Sequence, residues 1–367
     1  MDIRKAIKLV FLNLVILFLL LVLTEGFSGI ILFCMNLQES RSTELAERFH
    51  TKYDPELGWV NIPSKHIADF YGTGKEIRIN GQGFRSDYDF SIKVPEKKVR
   101  IICSGDSFTM GYGVSNKQTW PNILTSYNSA VETVNMGQGG YGLDQIYLWY
   151  MRDGTKFDHD VHLVAFIGDD FVRMVRSEMF GYAKPFLKLE SGSLVTCNTP
   201  VPKISYVFRW FTRNREIVNN LSTVTLLTRF IRKESSSEIK ATVEHKEQIL
   251  EQILLNLERI NKAKGSIFVL VWLPNSNNED FDDIRGGIRQ MSRKNDWYFI
   301  DLTPEMEKLG KGRGRMFIPD DKALPQFTRF AGHYSEEGNR IIAKALYNKL
   351  ELIPEISKKL NSSIMRQ

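Results

Sequence analysis

The sequence predicts an α/β protein: a doubly wound parallel sheet with helices on both faces, preceded by one transmembrane helix. Three observations carry this expectation. Apolar runs recur at Val99 to Cys103, Val131 to Met136, Val161 to Ile167, Ser266 to Leu273 and Trp297 to Leu302, with room for a helix between successive runs. Each run is continuous, not alternating, as in strands buried on both faces of a parallel sheet. Between two of them, residues 244–264 place Ile249, Ile253, Leu254, Leu257 and Ile260 at helical spacing among Glu, Gln and Lys, the stripe of a helix packed on a sheet.

The third observation is the N-terminus. Arg4, Lys5 and Lys8 precede an apolar run from Leu9 to Leu23, and apolar residues resume after Glu25-Gly26 as far as Phe33. The first run alone falls short of the roughly 20 residues a helical span needs, whereas a helix through Phe33 reaches that length. No good small-x-small cleavage site follows Leu23, so residues 1–36 read as an uncleaved anchor. Positive charge on the inner side then places the rest of the chain outside, periplasmic or at the cell surface.

Residues 37–97 are polar and rich in turn formers, a lead-in arm of short strands. The α/β domain spans 98–350, and 351–367 is set off as a tail. Residues 172–240 exceed what the strand count needs and read as a cap insertion. Its Tyr206 to Phe211 and Thr225 to Lys233 stretches suit a packed helical pair with a solvated basic face, or a surface that touches a glycan or membrane.

Composition removes several classes. The chain has 367 residues, 43% of them hydrophobic, enough to bury a substantial core. Its net charge of +6 is spread along the chain, which gives nucleic acid no footprint. The three cysteines, Cys34, Cys103 and Cys197, lie far apart, with neither a disulfide framework nor zinc-ligand spacing. No cofactor or metal site is expected. His159 and His162 beside Asp158 and Asp160 enter a buried strand, where a solvated loop explains them better than a metal. Gly137-x-Gly139-x-x-Gly142 formally matches a dinucleotide fingerprint but follows the second core strand instead of the first.

Candidate chemistry gathers at strand ends. Ser107 follows the first core strand within Gly105-Asp106-Ser107-Phe108, at the edge where open α/β sheets hold ligands. Alone, such a serine is as readily a helix cap. After the second strand comes the glycine turn Asn135 to Gly142, after the third Gly168-Asp169-Asp170-Phe171, and near the end His333 precedes a helical segment. Serine, glycine turn, polar turn and histidine appear in strand order. With these four blocks, the stretch from Asp54 to about Leu350 resembles the bacterial SGNH/GDSL hydrolases, membrane-anchored members in particular. Asp54 to Trp59 and Asn80 to Arg85 also resemble segments found upstream of the serine there.

The resemblance implies a flavodoxin-like, SGNH-type sheet and acyl transfer through Ser107 as nucleophile and His333 as base. It implies backbone N–H groups of Ser107 and Gly140 as oxyanion donors, with Asp169 and Asp170 in the third block at the oxyanion and substrate. Two departures stand out. The third block usually carries Asn then Asp; Asp169 in place of the Asn removes a carboxamide donor, a loss that typically costs about 10²–10³ in rate. The acid usually found two or three residues before the histidine is replaced by Ala331 and Phe330, leaving Asp301, Asp320 or Asp321, a backbone carbonyl, or a Ser-His dyad. The function implied is an extracytoplasmic serine esterase acting on O-acyl, chiefly O-acetyl, esters of polysaccharides or small esters. The alternatives are a polysaccharide O-acetyltransferase and a non-catalytic glycan-binding or assembly protein on the same fold.

Overall fold

A computed structural model describes residues 47–179, 182–203, 245–275, 281–319 and 332–364, together with parts of 4–26. Residues 1–45 and 46–367 form separate compact units. In the first, residues 7–20 are helical and their apolar side chains are exposed, Phe11 at 68% and Phe18 at 65%. Among the described residues no helix is long and apolar enough to cross a membrane. The continuation to Phe33 on which the anchor expectation depends lies outside the described residues.

The second unit begins with two antiparallel pairs, β1 (Thr51–Asp54) with β2 (Gly58–Asn61) and β3 (His66–Ile67) with β4 (Ile77–Arg78). The central sheet uses β5 (Val99–Gly105), β6 (Val131–Gly137), β7 (Val161–Phe166), β12 (Ile267–Trp272) and β13 (Tyr298–Asp301). Between β7 and β12 come β8 (Glu178–Met179), β9 (Tyr182–Ala183), β10 (Phe186–Glu190) and β11 (Ser193–Cys197). All pairings in the central sheet are parallel. Its order, β13-β12-β7-β5-β6, is the flavodoxin-like winding with a switch point between β5 and β7.

β5, β6, β7 and β12 bury both faces, and the edge strand β13 is half-buried. Ile102, Val134, Val164, Leu270 and Trp272 point into one cluster with α2 (Leu143–Arg152), α3 (Lys246–Ala263) and α4 (Asp282–Asn295). Their neighbours Ile101, Cys103, Leu163, Ala165, Val269 and Val271 point into the other, against α1 (Trp120–Tyr127), α5 (Glu336–Glu351) and α6 (Pro354–Ile364). This two-sided burial is why the strands read as unbroken apolar runs.

The boundaries differ from expectation at both ends of the domain. The lead-in segment is no separate arm, because Leu57, Trp59, Phe84 and Phe90 belong to the core. The segment set off as a tail holds α6, whose Ile356 and Leu360 are buried on the sheet and whose Lys359 pairs with Asp160 at 2.8 Å. The described part of the cap insertion is β-hairpin: β10 and β11 pair antiparallel and bury Leu187 in the core. The proposed helical pair, 206–233, lies outside the described residues.

Candidate active site

The four blocks meet at the carboxyl edge of the sheet. β5 ends at Gly105, Asp106 caps a single helical turn by accepting the Phe108 N–H at 2.8 Å, and Ser107 is that turn's first residue. The turn must start abruptly: a Cβ on Gly105 would stand 2.4 Å from the Ala165 carbonyl oxygen, and one on Gly137 2.1 Å from the Met110 nitrogen. Glycine at both places lets β6 and β7 close against the serine turn. Asn135 reinforces the approach by donating to the Thr109 carbonyl at 3.0 Å and accepting the Gly137 N–H at 2.9 Å.

His333 reaches the serine from the other end of the chain. Ser107 Oγ lies 2.7 Å from His333 Nε2, within hydrogen-bond reach, with the Asp106 carboxylate more distant at 3.4 Å. The imidazole lies between Phe108 and Tyr112, centroids 4.7 and 5.3 Å away. Its backbone carbonyl accepts from Ile318 at 2.8 Å. Next to it, Tyr334 donates its hydroxyl to the Pro274 carbonyl and Ser335 caps α5. Asn339 in α5 accepts the Trp120 N–H at 2.9 Å, joining the histidine's helix to α1. A neutral imidazole whose Nε2 faces a serine hydroxyl at this distance can take its proton as the oxygen attacks an acyl carbon.

The glycine turn after β6 is fixed by its own conformation and by Trp59. Gly140 is buried with φ of 74°, a left-handed conformation that glycine adopts without strain. Trp59 holds this turn from two directions: its indole N–H donates to the Gly139 carbonyl at 3.0 Å, and its own carbonyl accepts the Tyr141 hydroxyl at 2.6 Å. Arg85 does the same for the serine loop. Its buried guanidinium donates to the carbonyls of Met110, Gly111 and Val114 at 2.5 to 2.7 Å and to Asn116 Oδ1 at 2.8 Å. The two upstream motifs are thus the outer wall of the active-site loops.

The third block divides its roles. Asp169 lies at the crevice, part-exposed, and accepts from Asn275 Nδ2 at 2.9 Å. Asn275 follows β12, so a carboxamide is present here, brought by the neighbouring strand. Asp170, expected at the substrate, is instead fully buried and faces inward. It accepts the Ile167 N–H and pairs with Arg173 at 2.8 Å. Arg173 also donates to Asp106 at 3.0 Å and to the Tyr141 carbonyl at 3.4 Å. One guanidinium therefore links the serine, glycine and aspartate turns. Burial, and then the nearby Asp106 carboxylate, hold the Asp170 carboxyl well above the usual range. A desolvated carboxyl beside a second carboxylate behaves this way.

Asp301, one of the acids left open for His333, is engaged by other partners. It pairs with Arg289 and accepts the Thr303 N–H at 2.9 Å, on the edge strand β13. Asp320, Asp321, Phe330 and Ala331 lie outside the described residues. His159 and His162 form a buried network. Tyr150 stacks on His162 at 3.7 Å, Ser104 Oγ lies 2.9 Å from its Nε2, and Asn261 touches both histidines. Burial lowers the basicity of both rings. Arg173 and Asn275 escaped the sequence reading, and Arg85 entered it only as the end of the Asn80 to Arg85 segment, without a role. Asn275 carried a usable signal, its place directly after a core strand.

No protein-family model matches the sequence, and no curated protein matches it. Solved structures with a similar trace include the acetyl xylan esterase AlAXEase, at 16% identity over 68% of this chain and 99% of that one with a TM-score of 0.40. Others are the lipase/acylhydrolase from Enterococcus faecalis (12%, 69% and 95%, 0.39) and a member of the lipolytic protein G-D-S-L family from Veillonella parvula DSM 2008 (12%, 68% and 97%, 0.38).

Proposed function

We propose that this protein is a serine esterase that cleaves O-acyl, chiefly O-acetyl, esters of polysaccharides or small alcohols through an acyl-enzyme on Ser107. The contact that carries this reading is the 2.7 Å approach of Ser107 Oγ to His333 Nε2, made by residues 226 positions apart. A binding protein has no use for that pairing. Attack by Oγ on the acyl carbon transfers the serine proton to Nε2. The carbonyl oxygen becomes an oxyanion facing the backbone N–H groups of Ser107 and Gly140. Collapse breaks the C–O bond, and the imidazolium returns the proton to the departing alkoxide. Water, activated by the same imidazole, then releases the acid.

Hydrolysis of a short-chain chromogenic acetate by the full-length protein tests the reading. Ser107→Ala and His333→Ala are each expected to lower the rate by about 10³ or more, whereas equal rates in all three would leave the binding-protein alternative standing. Location is part of the same proposal. The basic residues before the apolar N-terminal run support an anchor with the esterase domain outside the membrane. Full-length protein is then expected in the membrane fraction after alkaline wash, with its α/β domain open to protease added from the extracytoplasmic side; recovery in the soluble fraction would remove the anchor.

A further inference from the structure

A cavity of about 500 Å³ opens beside the histidine, within the roughly 300–1,000 Å³ typical of small-molecule sites. Three of its wall segments are continuous with the catalytic base. Gly113 follows the ring of Tyr112 that flanks the imidazole, Ser335 is two residues past His333, and Ile318 donates its N–H to the His333 carbonyl. A run of rings leads inward from it: Tyr71 to Tyr112 at 6.1 Å, Tyr112 to His333 at 5.3 Å, His333 to Phe108 at 4.7 Å. Through Tyr112 and the His333 segment, the cavity's walls adjoin the imidazole side of Ser107.

Chemistry assigns that side to one half of the substrate. The leaving alkoxide must accept a proton from His333 Nε2, so the alcohol portion of the ester departs past the imidazole while the acyl oxygen points to the glycine turn. The lining states what alcohol fits. Tyr71 and Phe317 supply aromatic surface, and four charged side chains ring the rim as two pairs, Lys75 with Glu336 at 3.4 Å and Arg315 with Glu337 at 3.6 Å. Paired charges offer donors and acceptors with little net field, which disfavours an ionic ligand and suits one with many neutral hydroxyls and an apolar ring face. The volume exceeds what methanol or ethanol would need.

Resting on the esterase reading, we propose that this cavity binds the alcohol portion of the substrate and that the alcohol is a neutral sugar. It is a specificity site formed by residues of 71–75, 113–114, 314–319 and 335–337. Gly314 allows it to be filled without strain, since a Cβ there would meet no atom within 4 Å.

The test compares 6-O-acetylglucose with ethyl acetate, followed by acid release, in full-length wild-type protein and Gly314→Trp. In parallel, binding of cellobiose to full-length Ser107→Ala and Ser107→Ala/Gly314→Trp is read by saturation-transfer NMR. The sugar-ester to ethyl-ester ratio of kcat/KM is expected to fall by about ten-fold or more in Gly314→Trp, and the cellobiose signal to vanish in the double variant. Ser107-dependent hydrolysis with an unchanged ratio, or cellobiose binding indifferent to the tryptophan, would overturn the cavity assignment and leave the esterase reading intact. No hydrolysis of either ester, with cellobiose binding still abolished by the tryptophan, would uphold the sugar site and overturn the esterase reading.

Discussion

In the proposed reaction Asp169 stands where a hydrogen-bond donor would speed acylation, and its carboxylate only accepts. Asn275 Nδ2 already donates to it, so an amide at 169 can keep that bond through its oxygen and turn its NH₂ to the crevice. Asp169→Asn is therefore expected to raise kcat for a small acetate by about ten-fold or more, approaching the usual value of one oxyanion donor; stopped-flow acylation kinetics check this. An unchanged or lower kcat would mean that the carboxylate itself serves the native reaction. At this scale the sequence was legible where chemistry narrows the choice of residue. Ser107 and His333 stand in blocks whose order the sheet dictates. Asp170 was assigned to the substrate although it is buried, because two adjacent carboxylates look alike until the helix that starts at Gly168 turns one inward. Arg173 was invisible for the matching reason: an arginine in a short helix reads as solvated, and only folding brings Asp106, Tyr141 and Asp170 to it.

Among the elements, the segment ahead of the sheet contributes more to the site than its polar, turn-rich sequence suggests. β1 to β4 and the following turn carry Trp59 and Arg85, which hold the glycine turn and the serine loop by backbone carbonyls. Arg85 donates to the neutral oxygens of Met110, Gly111, Val114 and Asn116, so its removal strands several buried carbonyl oxygens, each of which costs about 1–3 kcal/mol when left unpaired. Arg85→Met is expected to destabilise the fold by several kcal/mol in urea unfolding, with Arg85→Lys between it and wild type because one ammonium cannot replace a fork of donors. In the surviving folded fraction kcat should fall more than KM rises, since the serine loop loses its brace. A Met variant as stable as wild type would show that the guanidinium is replaceable there. The strands themselves were readable, β5, β6, β7, β12 and β13 all falling on the apolar runs. The short β-hairpins after β7 were not, because their half-buried faces carry no clean alternation.

At the scale of the whole molecule, acid sensitivity separates groups that burial shifts in opposite directions. His50 is fully buried beside Asn61, Phe70 and Tyr112, and burial lowers its pKa from 6.5 to about 4. Asp144, fully buried against Lys184, is raised by burial from 3.8 to about 6. Between pH 6.5 and 4 the unfolded chain binds more protons at His50 than the folded one, so that residue's contribution falls as the solution is acidified. Between pH 6 and 3.8 the folded chain binds more protons at Asp144, so its contribution rises on acidification. Each is limited to about 1.4 kcal/mol per pH unit. His50→Gln keeps a partner for Asn61 without a titrating ring. The stability of wild type minus that of His50→Gln is expected to shrink by roughly 2–3 kcal/mol from pH 7 to pH 4, measured by urea unfolding at fixed ionic strength. For Asp144→Asn the same difference is expected to grow over that interval. A flat difference for His50→Gln would mean that the folded protein admits a charged ring at 50, and a shrinking one for Asp144→Asn that Lys184 holds the carboxylate ionised despite its burial.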